Sequence, residues 1–183
     1  MISDSLIKMR DESSHKAFKE MCEDIKSYPD YSSRLPIIEI GSYTGESAVL
    51  FAKYIPNLIV CVDTWLPGYD SLDIASFSDF DKVKEEFFCN TEGYNIKHYY
   101  SNEEALEEHK EFLFVYLDGC HEYKCVVEDI KFWKERTLII GGHDFTEDPV
   151  HKHVYGVQKA VRELLGEPDK TYEDLSWLKF HKQ

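Results

Sequence analysis

Six consecutive apolar residues, FLFVYL over 112–117, show none of the period-two alternation of a half-solvated strand. The run predicts a strand buried on both faces of a parallel sheet, and it stops abruptly at Asp118-Gly119. Shorter runs of the same kind, Pro36–Gly41, Leu58–Asp63, Asn95–Tyr100 and Thr137–Gly141, predict four more strands. Between them apolar positions recur at helical spacing. Ala17, Phe18, Met21, Cys22 and Ile25 stripe a helix over Ser13–Ser27, and Val49, Leu50 and Ile55 stripe Glu46–Ile55, which Pro56 ends. Val83, Phe87 and Phe88 mark the inner face of Phe80–Cys89, capped by Ser78 or Asp79. Val126, Val127, Ile130 and Trp133 do the same for Glu122–Glu135. Asn102–Lys110 reads as a short, acidic, solvated helix and Val154–Leu165 as the last helix. The tail, Lys170–Gln183, carries Tyr172, Leu175, Trp177, Leu178 and Phe180 and predicts a closing antiparallel pair.

Strands alternating with helices predict an α/β domain in three layers, with a mostly parallel sheet and right-handed crossovers. We divide the chain into an N-terminal helical extension, residues 1–35, and a single domain, residues 36–183. The extension is expected to pack on the domain, or to act as a lid or a dimer contact, so a homo-oligomer is one expected state. Thr64–Asp79 is longer than a usual connection and is a candidate active-site wall or lid. Trp65 and Tyr69 within it, and Phe145 in the polar loop Phe145–His153, are candidates either to line an acceptor pocket or to cover the core.

Charge narrows the partners. A formal net charge of −14, from 35 acids against 21 bases, repels phosphate backbones and anionic membranes. Nucleic acid and membrane are therefore not expected partners. The first residues, Met1–Lys8, lack the positive start and apolar core of a signal peptide, and no apolar stretch approaches the about 20 residues that span a bilayer. The five cysteines are odd in number, form no zinc-type pair, and mostly fall in apolar elements. Buried, reduced thiols in a cytoplasmic protein are the expectation.

Candidate chemistry collects at strand ends. A glycine-bounded turn, Gly41-Ser-Tyr-Thr-Gly45, joins a buried strand to a helix, where backbone N–H groups meet a ligand. Its spacing is not the dinucleotide GxGxxG. Asp63 ends the next strand, 22 residues after Gly41, a position suited to ribose hydroxyls. Together the two point to an adenosine-containing ligand. Asp118 ends the central strand, where open α/β sheets bind ligands, and His121 follows three residues later. An acid and an imidazole so placed suit a metal ligand and a general base, and equally a helix cap with a packed histidine. The cluster His143, Asp144, Glu147, Asp148, His151 and His153 lacks zinc-ligand spacing, and its distal half reads as a solvated loop.

The stretch Glu39-Ile-Gly-Ser-Tyr-Thr-Gly-Glu-Ser-Ala48 resembles motif I of class I S-adenosylmethionine-dependent methyltransferases, with Tyr43 as in the catechol-type O-methyltransferases. Asp118-Gly-Cys-His-Glu-Tyr123, followed by Asp129, Gly141-Gly142, His143-Asp144 and Gly156-Val157, resembles the macrocin- and mycinamicin-type sugar O-methyltransferases. The resemblance implies a Rossmann-like methyltransferase sheet and O-methylation of a hydroxyl on a small molecule or glycosyl acceptor. It implies S-adenosyl-L-methionine held by Glu39, Gly41, Ser42, Tyr43 and Gly45, with Asp63 on the ribose, Ser101 or Asn102 near adenine, and Asp118 alongside. It also implies a divalent metal, usually Mg2+, on Asp118 and Asp144. His143 stands where metal-dependent relatives carry an acid or amide and is taken as the third ligand. His121 matches the general base.

Two alternatives stay open at this point. A nicotinamide-dependent reductase shares such a sheet but needs the missing GxGxxG, and no Tyr-x-x-x-Lys catalytic pair is expected here. A non-catalytic cofactor-binding or assembly protein is compatible with His143 in place of an acid.

Overall fold

The computed structural model describes residues 12–181; the segment 1–11, on which the signal-peptide expectation falls, lies outside the described residues. Among the described residues, seven strands form one sheet: β1 (Ile37–Ile40), β2 (Ile59–Val62), β3 (Ile96–Tyr99), β4 (Phe112–Leu117), β5 (Thr137–Gly142), β6 (Lys170–Thr171) and β7 (Trp177–Phe180). Their order is β3-β2-β1-β4-β5-β7-β6. β1 to β5 are parallel, β7 runs antiparallel to β5, and β6 runs antiparallel to β7. The alternation of the sequence thus becomes the expected α/β sheet with an antiparallel C-terminal pair.

Helices α1 (Glu12–Lys26), α2 (Glu46–Tyr54), α3 (Phe80–Thr91), α4 (Asn102–Glu108), α5 (Tyr123–Trp133) and α6 (Tyr155–Leu165) complete the layers. Neighbouring strand residues point to opposite faces, so each strand feeds two cores. Ile37, Phe114, Tyr116 and Ile139 join Phe18, Phe51 and Phe87 on one side. Ile38, Val115, Leu117 and Ile140 join Val126, Ile130, Trp133 and Val161 on the other. All six residues of β4 are buried, as their unbroken apolar run requires.

The apolar stripe of α1 is spent inside the first core: Phe18, Met21, Cys22 and Ile25 are fully buried. The Phe18 ring centroid lies 4.5 Å from that of Phe51. That stripe is not free to serve as a lid or a dimer contact. Phe88, expected inward, is 43% exposed, whereas Phe87 is buried. One step around α3 carries Phe88 over the edge of the core, against His98 and Trp65. The cysteines also depart from expectation. Cys22 and Cys61 are buried, but Cys89 is exposed and Cys120 and Cys125 are only partly covered. Leu175 leaves the closing pair for the turn before β7, with φ 68°.

The consequence for function lies between β1 and β4. The chain leaves β1 toward β2 and leaves β4 toward β5, in opposite directions across the sheet. Their carboxyl ends therefore diverge and open a crevice, the place where such sheets bind ligands.

Candidate active site

The turn after β1 is shaped by two glycines with positive φ, Gly41 at 85° and Gly45 at 79°. At Gly41 the reason goes beyond φ. A Cβ there would lie 2.4 Å from the Asp118 carbonyl oxygen and 2.5 Å from the Gly119 Cα, so the turns after β1 and β4 touch through the missing side chain. Asp63, at the end of β2, fixes the same turn. One carboxylate oxygen accepts the Tyr43 N–H at 2.8 Å and the other the Trp65 N–H at 2.7 Å. The Trp65 indole N–H donates to the Tyr43 carbonyl at 3.0 Å, closing the clasp. Burial pushes the Asp63 carboxyl up despite the N–H bonds from Trp65, Tyr43 and Ser42. Glu39 stands beneath the turn, fully buried, accepting from Ser47 Oγ and from Cys61 Sγ. It supports α2 and lines neither of the two cavities described below, and Gly45 packs against Phe87 and Thr91.

At the end of β4 an acid–imidazole chain forms. His121 Nε2 lies 3.0 Å from Asp144 Oδ2, and Nδ1 lies 3.2 Å from Asp70 Oδ2 and 4.0 Å from Asp73 Oδ2. The Asp70 contact is ionic in kind: Asp70 takes its hydrogen bond from the His121 main-chain N–H, at 2.9 Å. Burial opposes charge on His121, but the hydrogen bond to Asp144 and the carboxylates of Asp144, Asp118 and Asp73 outweigh it and raise its pKa to about 9. Asp144 mirrors this. Burial works against its charge, yet hydrogen bonds from His121 and His143 hold it well below the usual carboxylate range. Asp118, His143 and Asp144 offer ligand atoms that all lie within 4.8 Å of one another. His143 Nδ1 is 3.7 Å from Asp118 Oδ1 and 3.2 Å from Asp144 Oδ1.

Two cavities meet here. One of about 320 Å³ is lined by Val62, Asp63, Tyr100, Ser101, Asn102 and Gly119, among others. The other, of about 510 Å³, is lined by Ser42, His121, His143, Asp144, His151 and Leu175, among others. Gly41, Tyr43, Tyr69 and Asp118 line both and form the border. Tyr43, Asp144 and Leu175 around the larger cavity carry positive φ without being glycine, local strain of the kind that collects at working sites.

Several wall residues had no sequence signal. Asp70 and Asp73 come from Thr64–Asp79, which is no free lid: Asp70 binds His121, and Ser71 Oγ donates to Glu122 at 2.8 Å. Ser14, Glu173 and Asp174 reach the larger cavity from the two ends of the described chain. Conversely, Trp65 is 5% exposed beneath the turn, and Phe145 packs under Arg162 and the second core; neither lines either of these two cavities. In the loop 143–153, Glu147 pairs with Arg162 and Asp148 caps the turn at Val150, while His151 and His153 face the larger cavity. Ser101 accepts from the Glu104 N–H as the cap of α4, whereas Asn102 Oδ1 is buried without a partner. Against expectation, Tyr155 and Lys159 have the spacing of a reductase pair, yet Tyr155 Oη donates to the Glu147 carbonyl, Lys159 covers the Tyr123 ring, and neither lines either of these two cavities.

Gly156 secures the loop that carries His121. A Cβ there would lie 2.2 Å from the His121 carbonyl oxygen and 2.4 Å from the Tyr123 nitrogen. Gly156→Ala is expected to push that loop away, destabilising the fold by about 1–3 kcal/mol and lowering turnover more than cofactor affinity. Urea unfolding beside steady-state kinetics reads both effects.

The sequence profile of a family described as a methyltransferase domain matches residues 38–144, more than half the chain, from β1 through Asp144. The chain belongs to the methyltransferase domain family. Among curated proteins none matches it. Among solved structures, the methyltransferase is similar to cofactor-bound Rv0187 from MTB, at TM-score 0.63 and 12% identity, covering 96% of this chain and 83% of that one. It is similar to the O-methyltransferase TomG from Streptomyces achromogenes, solved with SAM, at TM-score 0.53 and 14% identity over 97% and 93%. The METTL16 MTase domain, at TM-score 0.52 and 15% identity, is longer: 88% of this chain covers 64% of it. At these identities the likenesses establish the class I methyltransferase fold. No helix among the described residues is long and apolar enough to cross a membrane.

Proposed function

We propose that the protein transfers a methyl group from S-adenosyl-L-methionine to a hydroxyl of a small-molecule or glycosyl acceptor. One observation carries this reading: the Gly41 turn and the Asp118 turn touch, so the smaller cavity and the acid–imidazole cavity share a border. A sulfonium methyl at that border faces an acceptor oxygen in the larger cavity, and such alignment supplies much of the rate of a displacement at carbon. Asp63 borders the ribose position, and the unpartnered Asn102 Oδ1 suits an adenine amino group. His121 takes up the acceptor proton, and Asp144, Asp70 and Asp73 stabilise the imidazolium that results.

Asp118, His143 and Asp144 fit a divalent cation, and their mixed oxygen and nitrogen donors suit Mn2+ or Zn2+ better than Mg2+, which prefers oxygen alone. Such a cation supplies Lewis acidity, lowering the pKa of a hydroxyl presented to it. Among the described residues, the larger cavity is lined by Glu46, Asp73, Asp118, Asp144, Glu173 and Asp174 and by no lysine or arginine. Neutral or cationic acceptors are therefore favoured over phosphorylated or carboxylated ones. Ile74 and Val150, 89% and 80% exposed, adjoin the lining residues Ala75 and His151 and offer apolar cover to the body of an acceptor.

The test is calorimetry with S-adenosylhomocysteine on the wild type and on Asp63→Ala, each with and without Mn2+. Removing Asp63 frees the Tyr43 and Trp65 N–H groups and a ribose partner, so affinity is expected to fall at least about tenfold. Equal affinity in the two proteins overturns the nucleoside assignment.

A further inference from the structure

By sequence Cys120 and Cys125 read as core thiols rather than a reactive pair, but the fold brings them together beside the site. Cys120 lies in the turn between Asp118 and His121, and Cys125 lies in the first turn of α5. Their sulfurs are 2.6 Å apart. That separation exceeds a disulfide bond of about 2.05 Å by only about 0.6 Å, so a bond closes with a small side-chain movement. Neither residue is fully covered, unlike Cys22 and Cys61, and Cys120 also lines the smaller cavity. A reagent the size of a peroxide therefore has a route to the pair.

We propose that Cys120 and Cys125 are a reversible oxidation site, at which a peroxide makes an intrachain disulfide tying the Asp118–His121 turn to α5. The chemistry balances in two displacements. One sulfur attacks a peroxide oxygen, the O–O bond breaks, and one water and a sulfenic acid form. The second sulfur attacks the sulfenyl sulfur, the S–O bond breaks, and a second water leaves with the disulfide in place. Two thiols are oxidised and one peroxide is reduced. The link would place the redox state of the protein on the loop that carries both Asp118 and His121.

Trypsin offers a direct test, because it cuts after Lys124 and separates the two cysteines onto peptides 111–124 and 125–131. The full-length protein is treated with hydrogen peroxide, quenched with an alkylating agent in denaturant, and digested without reductant. The expected result is a joined 111–124/125–131 species, with intact mass about 2 Da lower, that dithiothreitol reverses. Cys120→Ser and Cys125→Ser are each expected to reduce that species at least about tenfold. Recovery of both peptides as alkylated thiols, at a dose that oxidises the exposed Cys89, overturns the proposal. So does a dimer linked through Cys89, or a sulfinic acid on Cys125, with no joined species.

Discussion

Replacing His121 with alanine is expected to lower methyl transfer by about 10²–10⁴-fold, the range attached to a positioned general base. S-adenosylhomocysteine affinity should stay within about twofold, because a change that removes only transition-state help leaves cofactor binding intact. The separation follows from geometry: His121 lines the larger cavity and not the smaller one. Alanine also strands Asp144 and the buried Asp70 without their cation, so part of any loss could be structural. His121→Gln answers that, keeping a donor toward the acids while unable to take a proton. A glutamine variant that folds, binds cofactor and turns over like wild type would remove His121 from the mechanism.

The same residue sets an expected pH dependence in chelator-treated protein. His121 is raised from 6.5 to about 9 by its carboxylate neighbours against the pull of burial. A cation stabilised in the fold contributes fully below its unfolded pKa and loses that contribution as pH rises through its folded one. The stability at stake is about 3 kcal/mol, lost between roughly pH 6.5 and pH 9. Asp144 reports the same pair from the acid side, and its share is not an addition. Urea midpoints should therefore fall between pH 7 and pH 9.5 in wild type and stay flat in His121→Gln. Turnover should instead climb toward pH 9 as the imidazole loses its proton and becomes a base.

What the sequence disclosed and what it hid divide along a physical line. The unbroken run of β4, the strand–turn–helix at Gly41 and the stripe of α5 are local patterns, and local patterns determine burial. Asp118, His121 and Asp144 were legible as a group because strand ends in such a sheet share an edge. Asp70 and Asp73 were not, since they lie in an aperiodic loop. The direction of Asp70 is fixed by a bond from the His121 N–H spanning 51 residues of chain, and Asp73 follows it in the same loop, 4.0 Å from the imidazole. The same holds for Trp65 and Phe145. As loop aromatics they fit a pocket or a core equally well, and long-range contacts with Tyr43 and Arg162 turn them inward. Glu173 and Asp174 reach the larger cavity only because β7 threads between β5 and β6.

Gly41→Ala is expected to be the most damaging single-atom change. Two costs fall on it together. A Cβ at φ 85° carries left-handed strain, and the same atom would lie 2.4 Å from the Asp118 carbonyl oxygen, where main chain rather than a flexible side chain must yield. We expect about 2–5 kcal/mol of destabilisation and a loss of cofactor affinity of at least about 100-fold, because the turns after β1 and β4 are forced apart. Gly93 supplies the control. It has φ 81°, but a Cβ there meets nothing within 4 Å. Gly93→Ala should therefore show the strain alone, about 1–2 kcal/mol in a urea titration, with cofactor binding unchanged. The difference between the two variants isolates the contact between Gly41 and Asp118. If Gly41→Ala bound S-adenosylhomocysteine as tightly as Gly93→Ala, the two turns would not form one site, and methyl donor and acceptor would have no common border.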